Sequence, residues 1–105
     1  MNKNMMKQAQ QLQQRLLKAQ QELGALSVEA TAGGGAITVT VTGDQKVTSI
    51  KIDPEVVTPN DAEMLEDLVL AAINEGLEKS REAASAHMGK ITGGLNIPGL
   101  GGPGL

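Results

Sequence analysis

Residues 5–26, MMKQAQQLQQRLLKAQQELGAL, decide the fold. Met5, Ala9, Leu12, Leu16, Ala19, Leu23 and Leu26 follow one another at intervals of 4, 3, 4, 3, 4 and 3. That is the a/d seam of a heptad repeat, held for three repeats, and it predicts an amphipathic helix. Seven glutamines fill the positions between, and the helix would run about 33 Å at 1.5 Å per residue. So narrow an apolar stripe asks for a second helix. Leu12, Leu16, Ala19, Leu23 and Leu26 are therefore the candidate dimer-interface residues, though the pattern leaves open whether this helix meets its own copy or the other helix of a partner.

Past Val28 the period falls from 3.5 to 2. Ile37, Val39 and Val41 alternate with Thr38, Thr40 and Thr42, and Thr48, Ile50 and Ile52 alternate with Ser49 and Lys51. These are β-branched strands with one apolar face. Val28–Ala32 reads as a weaker first strand. Gly33-Gly34-Gly35 and Gly43-Asp44 would supply the positive-φ positions of two tight reversals. After Asp53-Pro54 a second helix is predicted, with Thr58 as N-cap, Pro59 at the first helical position and Asp61 near the positive end of the dipole. Its run to about Met88 is broadly apolar at first (Leu65, Leu68, Val69, Ala72, Ile73) and sparser later (Leu77, Ser80, Ala84, His87). The first half should lie on the sheet; the second should project or pack on another helix. The expected fold class is α+β, in the order α-β-β-β-α, as one domain over residues 1–88. Residues 89–105 hold seven of the 13 glycines and read as a flexible Gly/Pro-rich tail.

Composition narrows the function. The chain has 105 residues and no Phe, Trp, Tyr or Cys. Some twenty large aliphatic residues must hold about ninety residues together, and a chain this size buries only about 60–65% of its unfolded surface. A partner that shares core surface is expected. Without Cys there are no disulfides or thiolate sites, which fits a reducing compartment. The longest unbroken apolar run, Leu68–Ile73, is far short of a membrane span. A soluble, cytoplasmic protein is expected. Its net charge is −3, but the charge is unevenly spread. Residues 1–21 carry Lys3, Lys7, Arg15 and Lys18 with no acid, whereas residues 53–78 carry eight acids and no base. Basic ends about an acidic centre hint at a polyanionic partner.

With this order of elements, the chain resembles the YbaB/EbfC family of bacterial nucleoid-associated proteins. The resemblance rests on Met6-Lys7-Gln8-Ala9-Gln10-Gln11, on Ile52-Asp53-Pro54, and on Glu63-Met64-Leu65-Glu66-Asp67-Leu68-Val69 followed by Ala71-Ala72-Ile73-Asn74. The acidic-apolar stretch is the most specific of these. The resemblance implies a homodimer with projecting helices. It also implies binding to double-stranded DNA with little sequence preference, and a role in organising the nucleoid or regulating genes.

Affinity for a duplex backbone needs cations along one surface, because counterion release drives the binding. At 100° per residue, with Lys7 at zero, Lys3 falls near −40°, Lys18 near +20° and Arg15 near +80°. The four share an arc of about 120° opposite the seam, which clusters near +150°. Gln10, Gln11, Gln14 and Gln21 lie on or beside this arc and could add hydrogen bonds to phosphate. Lys79, Arg81 and Lys90 form a second, looser set, which helix-dipole preference would also produce. Single-stranded nucleic acid is disfavoured, since its binders stack bases on aromatic rings.

Other constellations lead nowhere. His87 is the only histidine, Glu63, Glu66 and Asp67 read as a solvated helix face, and Gly33-Gly34-Gly35 lacks the Lys-Ser/Thr of a phosphate loop. No serine has an evident base beside it. Neither enzyme chemistry nor a metal or other cofactor is expected. The competing reading is a dimeric helical module that docks on other proteins and uses its basic face only for solvation.

Overall fold

The computed structural model describes residues 2–93. Helix α1 spans Lys3–Leu23, strands β1, β2 and β3 span Ser27–Ala32, Ile37–Thr42 and Val47–Ile52, and helix α2 spans Ala62–Gly93. A single 3₁₀ turn, Pro54–Val56, follows β3. The predicted α-β-β-β-α order is the one observed, and the sheet is an antiparallel meander in the order β1-β2-β3.

Helix α1 begins two residues before its seam. Asn2 caps it, the side-chain Oδ1 accepting the backbone N–H of Met5 at 2.8 Å. It stops at Leu23, three residues before the heptad pattern does. There the backbone tightens into i→i+3 bonds, from Gly24 to Gln21, Ala25 to Glu22 and Leu26 to Leu23. Leu26 accordingly sits in the connection to β1, half-buried.

Ala30 stands opposite Val39, and Val39 opposite Ile50; Ala32, Ile37 and Ile52 form the next such row. Paired residues share one face, so this face is apolar throughout. Ile37, Val39, Val41, Ala30 and Ala72 make the buried core, with Leu65, Leu68, Val69, Ile73 and Leu77 of α2 packed against it. The helix lies over β1 and β2. Gly76 is where it comes closest: a Cβ there would stand 2.8 Å from a Val41 methyl and 2.9 Å from a Val39 methyl.

Three sequence expectations need correction. Thr58 does not cap α2. Thr58-Pro59-Asn60 forms a turn closed by the Asp61 N–H on the Thr58 carbonyl at 3.1 Å, and Asp61 is the cap, accepting the Met64 N–H at 3.2 Å. Asp ranks above Thr as a cap and is followed directly by Ala-Glu-Met-Leu, a good helical run. Next, α2 extends through residues 89–93 and so consumes the first part of the proposed tail; the remainder, residues 94–105, lies outside the described residues. Lastly, Gly43 is needed for space rather than for its φ. A Cβ on it would meet the Leu23 carbonyl at 2.7 Å, and the positive φ of that reversal belongs to Gln45, at 65°. At the first reversal Gly33, Gly34 and Gly35 do all take positive φ.

Candidate nucleic-acid interface

Two polar links fix the helices where they leave the sheet. Ser80, fully buried, donates to the Thr42 carbonyl at 2.5 Å, and His87 Nε2 lies 3.3 Å from Glu22 Oε1 across the two helices. Beside that contact Ala19 is completely buried, and the absence of a bulky side chain lets the helices approach closely. Leu12, Leu16, Leu23 and Leu26 are half-buried. The inner part of the seam is therefore already engaged within one chain, by the second half of α2.

The helices run side by side away from the sheet but differ in reach. From His87, α2 continues for six residues to Gly93, about 9 Å. From Glu22, α1 continues back for 19 residues to Lys3, about 29 Å. The outer part of α1 thus extends past the last described residue of α2. This explains the length of the molecule, 70 × 27 × 16 Å, and a radius of gyration of 19.4 Å where a compact chain of this size has about 13 Å.

The arm carries the first basic set. Lys3, Lys7, Arg15 and Lys18 are all exposed, and no acid precedes Glu22. Gln11, Gln14, Arg15 and Lys18 border one shallow hollow on its surface. The structure thus brings these four cations onto a single free face.

The second set is not brought together. Lys79, itself exposed, reaches along the surface to the sheet edge, where its Nζ donates to the carbonyl of Glu29 in β1 at 3.2 Å. An edge carbonyl capped by a lysine is a guarded edge. Arg81 lies about 200° around the helix from Lys79, in a shallow surface hollow beside Glu78 and Glu82. Lys90 is exposed near the end of α2. Neighbouring carboxylates weaken Arg81 as a phosphate ligand, a feature that the i, i+3 spacing of Glu78 and Arg81 already displays.

One apolar surface was not singled out by the sequence. Because α2 sits over β1 and β2, the β3 side of the apolar face stays open: Val47, Ile50 and Ile52 are exposed, Ile50 by 43%. A mostly apolar groove lined by Ile52, Leu65, Glu66, Val69, Leu70 and Ile73 runs between β3 and α2. Leu70, 59% exposed, forms its outer ridge. No group of three or more potential ligands that could hold a metal ion occurs among the described residues. No helix among them is long and apolar enough to cross a membrane.

Comparison with known proteins agrees with this architecture. An uncharacterized protein from Helicobacter pylori of known crystal structure shares the fold with a TM-score of 0.73 at 15% identity, over 88% of this chain and 98% of that one. A protein of Syntrophobacter fumaroxidans named nucleoid-associated protein is 55% identical over 102 residues, spanning 97% of this chain and 93% of that protein. One of the same name from Alkaliphilus metalliredigens is 57% identical over 97 residues, 92% of this chain and 85% of that protein. The model of the YbaB/EbfC DNA-binding family matches residues 1–95. On that match and these identities, the chain belongs to the YbaB/EbfC DNA-binding family.

Proposed function

We propose that this protein is a non-enzymatic component of the bacterial nucleoid that binds double-stranded DNA as a homodimer, using the projecting arm of α1. The observation that carries the reading is the arm itself: Lys3, Lys7, Arg15 and Lys18 exposed on one face, with no acid before Glu22. Lys90 adds to the contact at the end of α2. Lys79 and Arg81 contribute less, the one held by a sheet carbonyl and the other set beside carboxylates.

With four to six phosphates engaged, log K falls against log[salt] with a slope of about −4 to −5. Gel shifts on unrelated duplexes at several salt concentrations test this. Lys7→Ala/Lys18→Ala should weaken binding to every duplex and flatten the slope by nearly two. Absence of duplex binding at low salt, or an unchanged double variant, overturns the assignment and favours a protein-docking module.

Two surfaces support the dimer. The apolar groove beside β3, with the exposed Leu70 at its edge, is one surface that a second copy could cover, and an open apolar edge strand invites such cover. The outer seam of α1, with Leu12 only half-buried and Met5 exposed, offers a second contact. In sedimentation, Leu70→Asp should release monomer. If Leu70→Asp stays dimeric while Leu12→Asp dissociates, the interface is the α1 seam instead.

A further inference from the structure

The arm of α1 outruns its partner helix along the apolar seam. His87 stands level with Glu22, and α2 continues for six residues to Gly93, so the described part of α2 ends about level with Leu16. Beyond that level the seam holds Leu12, half-buried, Ala9, exposed, and Met5, 55% exposed. An isolated helix as short as residues 3–15 is marginal in water, because most helical stability in proteins comes from packing of the apolar face. Yet the arm is helical from Lys3. Its seam calls for a cover.

The sequence that follows α2 fits that need. Residues 94–105 read GLNIPGLGGPGL, with no charged residue. A segment that only had to be solvated would gain nothing from Leu95, Ile97 and Leu100, whose side chains favour leaving water. Its two prolines and five glycines disfavour a helix, and Pro98 biases Ile97 toward extended backbone. Extended chain advances about 3.3 Å per residue. From Gly93, two residues carry Leu95 about 7 Å outward, to the level of Leu12, which lies about 6 Å beyond Leu16 on α1. Ile97 comes about 7 Å farther, between Ala9 and Met5. The pattern on α2 leads the same way. Ser80, Ala84, His87 and Ile91, all buried or half-buried, follow at intervals of 4, 3 and 4, and Leu95 is the next step of four.

We infer that residues 94–105 of the same chain run on along the outer seam of α1 as a strap, with Leu95 resting on Leu12 and Ile97 on Ala9 and Met5. The arm then has two layers, a helix and the strap over its apolar side. Lys3 and Lys7, around the helix from the seam, stay exposed. The strap does not depend on the DNA-binding reading: it stiffens the arm whatever the free face meets.

Amide hydrogen exchange of the full-length protein, read by mass spectrometry on peptides covering residues 3–15, reports the cover. Leu95→Ser/Ile97→Ser removes the two contacts without adding charge. It should speed exchange over residues 3–15 by about ten-fold or more, since opening the arm no longer exposes two buried aliphatic side chains. Exchange in β2 and in the first half of α2 should not change, which shows that the variant is folded. The chain has no cysteine, so Ala9→Cys/Ile97→Cys introduces the only pair. With oxidised glutathione that pair should close within one chain, giving a faster band of monomer mass on a non-reducing gel. Unchanged exchange in the serine variant overturns the inference, and so does a cysteine pair that stays reduced. A disulfide that joins two chains also overturns it and gives the seam to a second copy.

Discussion

Gly76 and Gly89 lie on the same helix, and the same substitution should move stability in opposite directions at the two. At Gly76 an added methyl would meet Val41 at 2.8 Å and Val39 at 2.9 Å, about 1 Å inside an ordinary carbon–carbon contact. Both valines are fully buried and stiff at χ1, so α2 has to lift from the sheet. Overpacking of this kind costs about 1–3 kcal/mol, and replacing a helical glycine by alanine returns about 1 kcal/mol. Gly76→Ala is therefore expected to lose about 1 kcal/mol net. At Gly89 nothing lies within 4 Å of the new methyl, and only the propensity gain of about 0.5–1 kcal/mol remains. Urea unfolding followed by circular dichroism, at one fixed protomer concentration because dimerisation shifts the midpoint, measures both. A Val41→Ala background should soften the Gly76→Ala penalty, since the two residues touch and will couple. Should Gly76→Ala prove as stabilising as Gly89→Ala, α2 does not pack on β2 as described.

Two other substitutions separate roles that the sequence leaves mixed. Asp61→Ala should cost about 1 kcal/mol by removing the cap of α2, while Thr58→Ala stays within about 0.5 kcal/mol, the reverse of what Thr58 capping would give; the same urea assay reports it. Lys79→Met should change duplex affinity less than Lys7→Ala does in a side-by-side gel shift, because Lys79 is engaged with the Glu29 carbonyl. Equal losses would return Lys79 to the DNA surface.

Local order was legible because a shift of period from 3.5 to 2 and back is a local property of the chain. Partner choice was not. The seam of α1 says that Ala19 and its neighbours are to be covered by a helix, but amphipathicity encodes burial and not the identity of what covers it. In the structure α2 of the same chain does part of that work. The open β3 face escaped notice for a related reason. Ile50 and Ile52 alternate just as Val39 and Val41 do, and whether a strand is covered depends on where the helix crosses. The helix comes closest to the sheet at Gly76, which as a lone glycine in a helical stretch carries no such message. The basic face of α1 was readable in full, since four cations with no acid among them need only helical geometry to be placed. Lys79 and Arg81 formed a looser set in sequence; the carboxylates beside Arg81 are visible in its spacing from Glu78, but only the fold shows Lys79 hooked onto the sheet edge.

The length of the arm resolves an apparent conflict between an acidic chain and a polyanionic partner. Charges in water at physiological ionic strength are screened over about 8 Å. Lys3 and Lys7 lie about 29 and 22 Å from Glu22 along α1, several screening lengths from that carboxylate and farther still from the acids of α2 before His87. Lys18 is about 6 Å from Glu22 and feels it. On the proposed reading, a duplex approaching the tip meets a basic helix, and repulsion from the described acids grows only as it moves inward. The net charge of −3 is the sum over two regions that do not act on the same ligand. On the proposed reading, the acidic centre makes the duplex contact strongest at Lys3 and Lys7 and weaker toward Lys18, beside Glu22.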